Sequence, residues 1–391
     1  MRQVDVAIVG AGAAGAMSAA MLGRRGLGVA MIDPIHPFGP DFRCEKLERA
    51  HMDALSKAGL LHEVLPAGRP YDRIWIARQG HLVEKWPHIE YGIEYSVLVN
   101  TLRGLVPDSV AFVPDKVVGL HAGETRQTLQ LAGGDTLSAR LVIVSSGLQS
   151  DVLTALGMSR EIVSRCHSVS IGFDLAPEGR AAFDFDALTY FGEGPQHRVA
   201  YFTVFPMGDA VRANLFVYRE LSDPWFKAFR ADPVAALHAS MPRLRHITGD
   251  FRVLGAPRVR PVDLVDTRGC DKPGVVLIGD AFRTACPVSG TGASKAMVDA
   301  ERLCNAYVPQ WLAQDTISAA DIAQFYADGE KQASDAQSRK VSLFAKRLTL
   351  EEGVGWSAYR LALCGGSIGR NAFNVMRQAF FHEKAGMQWQ S

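Results

Sequence analysis

The sequence predicts a mixed α/β chain: a Rossmann-like nucleotide-binding domain, a β-sheet domain inserted into it, and a helical C-terminal region. Three observations lead there. The first 33 residues read strand, glycine turn, helix, strand; a second buried strand runs into glycines and a helix within Pro273–Leu303; and between them, from His167 to Pro261, alternating aromatic-rich segments look antiparallel.

The opening unit sets the frame. Val4 to Val9 is a short apolar strand, Gly10-Ala11-Gly12-Ala13-Ala14-Gly15 follows at once, and the small residues Ala16 to Leu22 continue as a helix. A second apolar segment, Val29 to Ile32, ends on Asp33. In such a turn Gly10 permits the sharp bend, Gly12 lets backbone approach a pyrophosphate, and Gly15 lets the helix lie close on the strand. The helix N-terminus, opened by Ala13 and Ala14, offers N–H groups and a positive dipole end to phosphates, and Asp33 is placed for a ribose hydroxyl. This much predicts a dinucleotide and leaves NAD, NADP and FAD open.

A Pro/Gly-rich loop (Pro34, Pro37, Gly39, Pro40) leads to Arg43 and then to a helix expected over Leu47–Leu61, stopping at Gly59. Arg73–Arg78 and His81–Trp86, joined at Gln79-Gly80, read as a hairpin that leaves the nucleotide domain. A helix over Ser96–Val106 returns the chain to a meander of Ala111–Pro114, Lys116–Ala122, Gln127–Leu131 and Leu141–Val144. Next come strands at Ser168–Leu175, Leu188–Gly192, Val199–Pro206 and Val211–Arg219, with Gly208-Asp209 as a hairpin turn. Helices near Trp225–Arg230 and Val234–Ser240 precede Arg258–Asp266, which carries the chain back. The C-terminal stretch Ile317–Gln388 reads as helices, among them Ala319–Ala336 and Ser367–Phe381, in a packing or dimer-contact role; the cluster Trp356, Tyr359, Leu361, Leu363 is the alternative, a pocket wall or a surface for a lipid-like substrate. The domains expected are 1–70 with 96–160 and 262–310 for the nucleotide; 71–95 with 161–261 for the substrate; and 311–391 for the helical region.

Composition narrows the class. A chain of 391 residues exceeds the ~100–200 typical of one domain. Hydrophobic residues at 48% and charged residues at 21% describe an ordinary globular protein, and 42 Lys and Arg against 41 Asp and Glu argue against nucleic acid as a partner. The six cysteines are scattered with no metal-like spacing, so no metal is expected and thiols in a reducing, cytoplasmic setting fit. No charged leader and apolar core precedes the glycines, and no apolar run nears the ~20 residues of a membrane span.

The second constellation is decisive: Gly274 to Ile278, Gly279-Asp280-Ala281, Pro287, Gly290-Thr291-Gly292, then Asp299-Ala300. With its GD, proline, GxG and following DA, the chain resembles the class A flavoprotein monooxygenases of the p-hydroxybenzoate hydroxylase type. The resemblance implies a Rossmann-like FAD-binding domain of the GR2 type, with Asp280 on the ribityl chain, Gly279 in its turn, Pro287 beside the flavin ring, and Gly290, Thr291 and Gly292 opening a helix toward the flavin pyrimidine. It implies a cofactor contact for Arg43 and a main-chain adenine contact for Val117. The pattern also departs from the family's: Ser145-Ser146-Gly147-Leu148-Gln149-Ser150 stands where many members carry Asp-Gly, Arg283 where a histidine is usual, Ser294 where an asparagine is usual, and Tyr95-Ser96 where an arginine or glutamine opens the returning helix.

The activity so implied is hydroxylation or epoxidation of a small aromatic or other electron-rich substrate through a C4a-hydroperoxyflavin, with NADH or NADPH as transient reductant and O₂ as co-substrate, in a monomer or homodimer. Arg283, just beyond the flavin aspartate, is the catalytic candidate, with Pro287 in the flavin and substrate loop; a surface ion pair is the other role open to Arg283. A phenolic substrate would need a base, for which His167, His197, Tyr190, Tyr201 and Tyr218 are candidates, packing in the sheet being the other role open to each. The alternatives are an FAD-dependent oxidase, dehydrogenase or reductase without oxygen insertion, favoured by the missing Asp-Gly, and a flavin-loaded binding protein without turnover. A halogenase is disfavoured, since Lys85-Trp86-Pro87 lacks the Trp-x-Trp-x-Ile-Pro pattern.

Overall fold

A computed structural model describes residues 2–149 and 151–367, leaving aside the side chains of 86–88. In chain order β1 (Arg2–Val9), α1 (Ala13–Gly23), β2 (Val29–Ile32), β3 (Cys44–Leu47), α2 (Arg49–Lys57) and α3 (Leu61–Val64) lead to the hairpin β4 (Arg69–Arg78) and β5 (His81–Glu94). α4 (Tyr95–Gly104) and β6 (Ala111–Val113) precede β7 (Val117–His121), β8 (Gln127–Leu131), β9 (Thr136–Val144) and α5 (Asp151–Ala155). β10 (Ser159–Pro177), β11 (Ala187–Phe191), β12 (Val199–Met207) and β13 (Ala210–Val217) are followed by α6 (Trp225–Ala231), α7 (Pro233–Ser240), α8 (Leu244–Thr248) and β14 (Phe251–Arg268). Last come β15 (Val275–Leu277), α9 (Gly292–Arg302), α10 (Val308–Leu312), α11 (Ala319–Tyr326) and α12 (Gly329–Leu350). The expected mixed α/β architecture is present.

The chain divides into two compact units, 1–69 with 90–168 and 261–343, and 70–89 with 169–260 and 344–391. In the first, β6-β2-β1-β9 is parallel; the start of β9 pairs with the β8–β7 meander and its end with β15, in register Val275↔Val142. These central strands are apolar almost throughout because both faces are covered. α1, α4 and α9 contribute to the core on one face (Met17, Leu98, Met297), and meander residues such as Leu120 and Leu129 to the core on the other. In the second unit the sheet order is β10-β13-β12-β11-β4-β5, with aromatic side chains such as Phe173, Phe202 and Phe205 buried on it.

Four expectations change. Ala111–Pro114 does not belong to the meander: β6 pairs parallel to β2 (Ala30↔Ala111), since a helix returning from the sheet delivers the next strand beside its neighbour by a crossover. The single helix over Leu47–Leu61 is strand β3 to Leu47, then α2, which ends ahead of Gly59. Ala319–Ala336 breaks at Ala327-Asp328, where the Asp328 carboxylate accepts the Lys331 N–H at 2.9 Å and starts α12. Residues 311–343 pack within the first unit rather than in a C-terminal body of their own, while the helix expected over Ser367–Phe381 lies outside the described residues beyond its first position. No helix among the described residues is long and apolar enough to cross a membrane.

Candidate functional site

The glycine turn lies between β1 and α1, at the C-terminal edge of the parallel sheet. A side chain at Gly15 would place its Cβ 2.0 Å from the Gly10 carbonyl oxygen and 2.5 Å from Ser145 Oγ, so α1 reaches its position over β1 and β9 only with glycine there. Ser145 Oγ donates to the Gly10 carbonyl at 2.7 Å, tying the end of β9 to the turn. Gly12, the residue before α1, offers no capping side chain, and the first turn, which includes Ala13 and Ala14, carries no acid. A helix start with no N-cap side chain and with small residues keeps N–H groups beyond that of Ala13 for an anionic group.

Asp33 caps this turn from β2. Its carboxylate accepts the Ala11 N–H at 2.8 Å and the Ile35 N–H at 2.9 Å, and Arg103 Nη2 stands 3.5 Å away. Arg103, buried in α4, donates to the carbonyls of Ala11 (2.8 Å) and Ile35 (2.6 Å). Two donors leave the carboxylate further lone pairs for a hydroxyl. Val117 starts β7 with its side chain buried in the core beneath the meander, which leaves only its backbone for a ligand.

The second constellation forms in the same unit. Gly279, with φ +59°, opens the 3₁₀ turn Gly279–Ala281 directly after β15, and its own missing Cβ would stand 3.3 Å from Ala296 Cβ in α9. The Gly279 N–H donates to buried Asp299 at 2.8 Å. Pro287 begins a second 3₁₀ turn, Gly290 follows in the left-handed region, and Thr291 and Gly292 start α9, again without a side-chain cap or first-turn acid. Thr291 Oγ1 donates to Ser338 Oγ (2.8 Å), and Ser294 Oγ to the Thr291 carbonyl (3.2 Å). α1 and α9 pack against each other, so the two helix starts share one neighbourhood.

The charge of Asp280 reaches Arg43, Glu45, Tyr95, Arg160 and Lys295, in each case as a smaller influence than burial. Arg43 pairs with Asp41 at 2.5 Å and lies 4.0 Å over the Tyr95 ring. Arg160 holds the loop after β9 by donating to the Gly147 carbonyl at 2.8 Å. Burial pushes the Glu45 carboxyl up to about 7, with Arg43 opposing and Asp280, Glu48 and Asp41 reinforcing the shift, so a proton can exchange there near neutral pH. Burial likewise raises the Tyr95 phenol, whose oxygen also accepts from the Ala13 N–H.

Arg283 is engaged elsewhere. Its guanidinium donates to Asp266 at 3.1 Å, a carboxylate shared with Arg339, and lies 3.9 Å from Asp335. Both ring nitrogens of His167 have partners, Ser164 Oγ at 3.0 Å and the Ser342 carbonyl at 3.3 Å. In the second unit Tyr190 donates to Glu193 at 2.5 Å and Tyr201 packs on Phe216, while His197 lies in a 3₁₀ turn and Tyr218 is buried. Trp356 and Tyr359 pack with Phe344 in the second unit, where Leu361 is exposed. No group of three or more His, Cys, Asp or Glu among the described residues could hold a metal.

Glu45, Arg103, Arg160, Lys295 and Lys331 escape sequence reasoning, and Tyr95 enters it only as a departure from a pattern. Each is brought to the turns from a distant element, and only the run Arg43-Cys44-Glu45 beside the acidic strand end offered a local signal.

Residues 3–308 match the family described as "FAD binding domain". The chain is 25% identical over 334 residues to 3-demethoxyubiquinol 3-hydroxylase of Escherichia coli K12, covering 78% of this chain and 79% of the relative. It is 24% identical over 387 residues to digeranylgeranylglycerophospholipid reductase 1 of Methanopyrus kandleri, covering 90% and 93%. Among solved structures, p-nitrophenol 4-monooxygenase PnpA from Pseudomonas putida DLL-E4 has a similar fold (TM-score 0.75, 16% identity, 98% of both chains), as does PqsL of Pseudomonas aeruginosa, described as a probable FAD-dependent monooxygenase (TM-score 0.67, 19% identity, 93% and 100%). The chain belongs to the FAD-binding-domain family, has the architecture of the class A flavoprotein monooxygenases, and is an FAD-dependent oxidoreductase.

Proposed function

We propose that the protein uses NADH or NADPH and O₂ to hydroxylate or epoxidise a small aromatic or other electron-rich organic substrate such as a phenol. The observation that carries this reading is the meeting in one unit of two uncapped helix starts with Asp33 at the first and Asp280 at the second. FAD, when bound, supplies the redox chemistry, accepting electrons from the nicotinamide and passing them to O₂.

The protein's own residues bind and orient. Gly10, Gly12, Ala13, Ala14 and Gly15 take the pyrophosphate against α1, Asp33 the ribose, and the Val117 backbone the adenine. Gly279 and Asp280 would take the ribityl chain, Pro287 would serve the flavin-ring side of the site, and Gly290, Thr291 and Gly292 would offer the positive end of α9 to the negative charge that reduction of the flavin supplies. Arg43, fixed by Asp41 and stacked on Tyr95, flanks this site. Because Arg283 is held by Asp266, we assign it to the support of the Gly279–Ala281 turn rather than to substrate. The Escherichia coli relative is a 3-hydroxylase and PnpA a 4-monooxygenase, and both support the reading.

A second reading, reduction of a substrate without oxygen insertion, is favoured by the Methanopyrus kandleri relative, named as a reductase, and by Ser145-Ser146 in place of Asp-Gly. Incubation with NADH or NADPH, phenols and ¹⁸O₂ separates the two. One ¹⁸O atom in the product is expected; anaerobic substrate reduction, or nicotinamide consumption with no labelled product across the panel, overturns the first reading.

A further inference from the structure

The buried face of α12 is formed by Lys331, Asp335, Ser338 and Ser342, spaced at one helical face and polar at every position. An apolar stripe is the usual reason for a helix to dock; this one docks through charge and hydrogen bonds. Lys331 and Asp335 meet Lys295 and Asp299 of α9 in a four-membered ring of ion pairs, all four side chains at most 6% exposed. The contacts between helices, Lys295 to Asp335 and Lys331 to Asp299, are both 2.9 Å, and the contacts within each helix are longer at 3.5 and 3.2 Å. Lys331 also lies 4.3 Å over the ring of Phe282. Its Asp299 partner accepts the Gly279 N–H with its other oxygen, the one facing Lys295 at 3.5 Å. About two turns beyond Lys331 on the same face of α12, Ser338 accepts the Thr291 hydroxyl.

From this geometry we propose that Lys331 is a positioning residue for the cofactor: through Asp299 it fixes the Gly279–Asp280 turn, so that FAD affinity depends on the polar contacts made by this buried face of α12. The inference rests on FAD binding at this turn, as proposed above. A path runs from the Lys331 ammonium to the Asp299 carboxylate, from there to the Gly279 N–H, and on to Asp280. Asp299 is kept ionised, below the usual carboxylate range, by Lys295 and Lys331 against its burial, and an ionised acceptor makes the stronger bond to the amide. Removing Lys331 leaves three buried charges with a net negative excess, so Asp299 either takes up a proton or turns away, and in both cases the Gly279 amide loses its strong acceptor.

The test compares Lys331→Met with Arg302→Met, which breaks the ion pair of α9 with Asp328 at the start of α12 (2.8 Å) without touching Asp299. Apoproteins are titrated with FAD by flavin-fluorescence quenching, their melting temperatures are recorded, and amide hydrogen exchange is followed across residues 278–283. Lys331→Met is expected to weaken FAD binding about tenfold and to speed exchange at Gly279, whereas Arg302→Met lowers the melting temperature at unchanged FAD affinity. Unchanged affinity in folded Lys331→Met, or an equal loss in Arg302→Met, overturns the proposal. Should Lys331→Met not fold, Ser338→Ala tests the same face: FAD affinity falls several-fold if α12 seats the Thr291 loop, and unchanged affinity counts against it. Wild-type protein that takes up no FAD is a different result, refuting the cofactor reading itself.

Discussion

Replacing Gly15 with alanine puts the closeness of α1 to the sheet to a quantitative test. The new Cβ would stand 2.0 Å from a backbone oxygen, that of Gly10, and real Cβ contacts essentially never fall below 3.0 Å, so the start of α1 must retreat by roughly 1 Å from the glycine turn. Overpacking of this kind costs about 1–3 kcal/mol, with the upper end apt because the clashing atom is backbone and cannot rotate away. Alanine's better helix propensity returns up to ~1 kcal/mol, which leaves a net loss of about 2 kcal/mol. The same substitution at Gly104, exposed in the last turn of α4 with nothing within 4 Å of the added methyl, has only the propensity gain and should stabilise by up to ~1 kcal/mol. Urea unfolding of both apoproteins, followed by tryptophan fluorescence, gives the two signs, and FAD titration of Gly15→Ala should show at least several-fold weaker binding. A Gly15→Ala protein as stable as wild type with unaltered FAD affinity would refute the close-approach argument.

Glu45→Gln addresses the buried carboxyl. Its folded pKa of about 7 lies above the ordinary 4.5, so the folded state binds the extra proton and wild-type stability falls as pH rises from about 4.5 to 7. Melting curves against pH should therefore converge for the two proteins near pH 4.5 and show the glutamine variant more stable above pH 7; parallel curves would remove the burial argument. Arg103→Met leaves Asp33 charged without its buried cation and orphans the Ala11 and Ile35 carbonyls, for an expected loss of about 3 kcal/mol in urea unfolding. Asp280→Ala, at a half-buried turn position, should fold with little change in melting temperature yet bind FAD about tenfold more weakly; unaltered FAD affinity would remove the ribityl assignment.

What was legible in the sequence was local. Gly10 to Asp33 and Gly279 to Gly292 announce themselves because a turn, an uncapped helix start and an acidic strand end all fall within a few residues of each other. The β4–β5 hairpin and β10 to β13 were legible through alternation and turn residues. Two kinds of information were not. The place of β6 is a matter of which strand it neighbours, and three residues of apolar chain say nothing about that. The face of α12 is invisible to any search for apolar periodicity, since Lys331, Asp335, Ser338 and Ser342 read as solvent-facing until their partners on α9 and in the Thr291 turn are known. Glu45 belongs with these: an ordinary charged residue by sequence, its raised carboxyl comes first from burial and only then from charges such as Asp280, more than two hundred positions away.

The separation of those positions also governs when the protein can first exist as a working molecule. β1 must wait for β9 to gain one neighbour and for β15 to complete the sheet, and the Gly279 turn waits in addition for Lys331. A ribosome adding ~5–20 residues per second spends roughly a quarter of a minute to a minute between Gly10 and Lys331. Throughout that interval the apolar edges of β1 and β2 are exposed in the nascent chain, the condition in which unpaired strands associate wrongly. Yield in a heterologous host should accordingly respond to chaperone supply and slower translation at low temperature more than to added flavin, which has no complete turn to bind until the last helix of the unit has emerged.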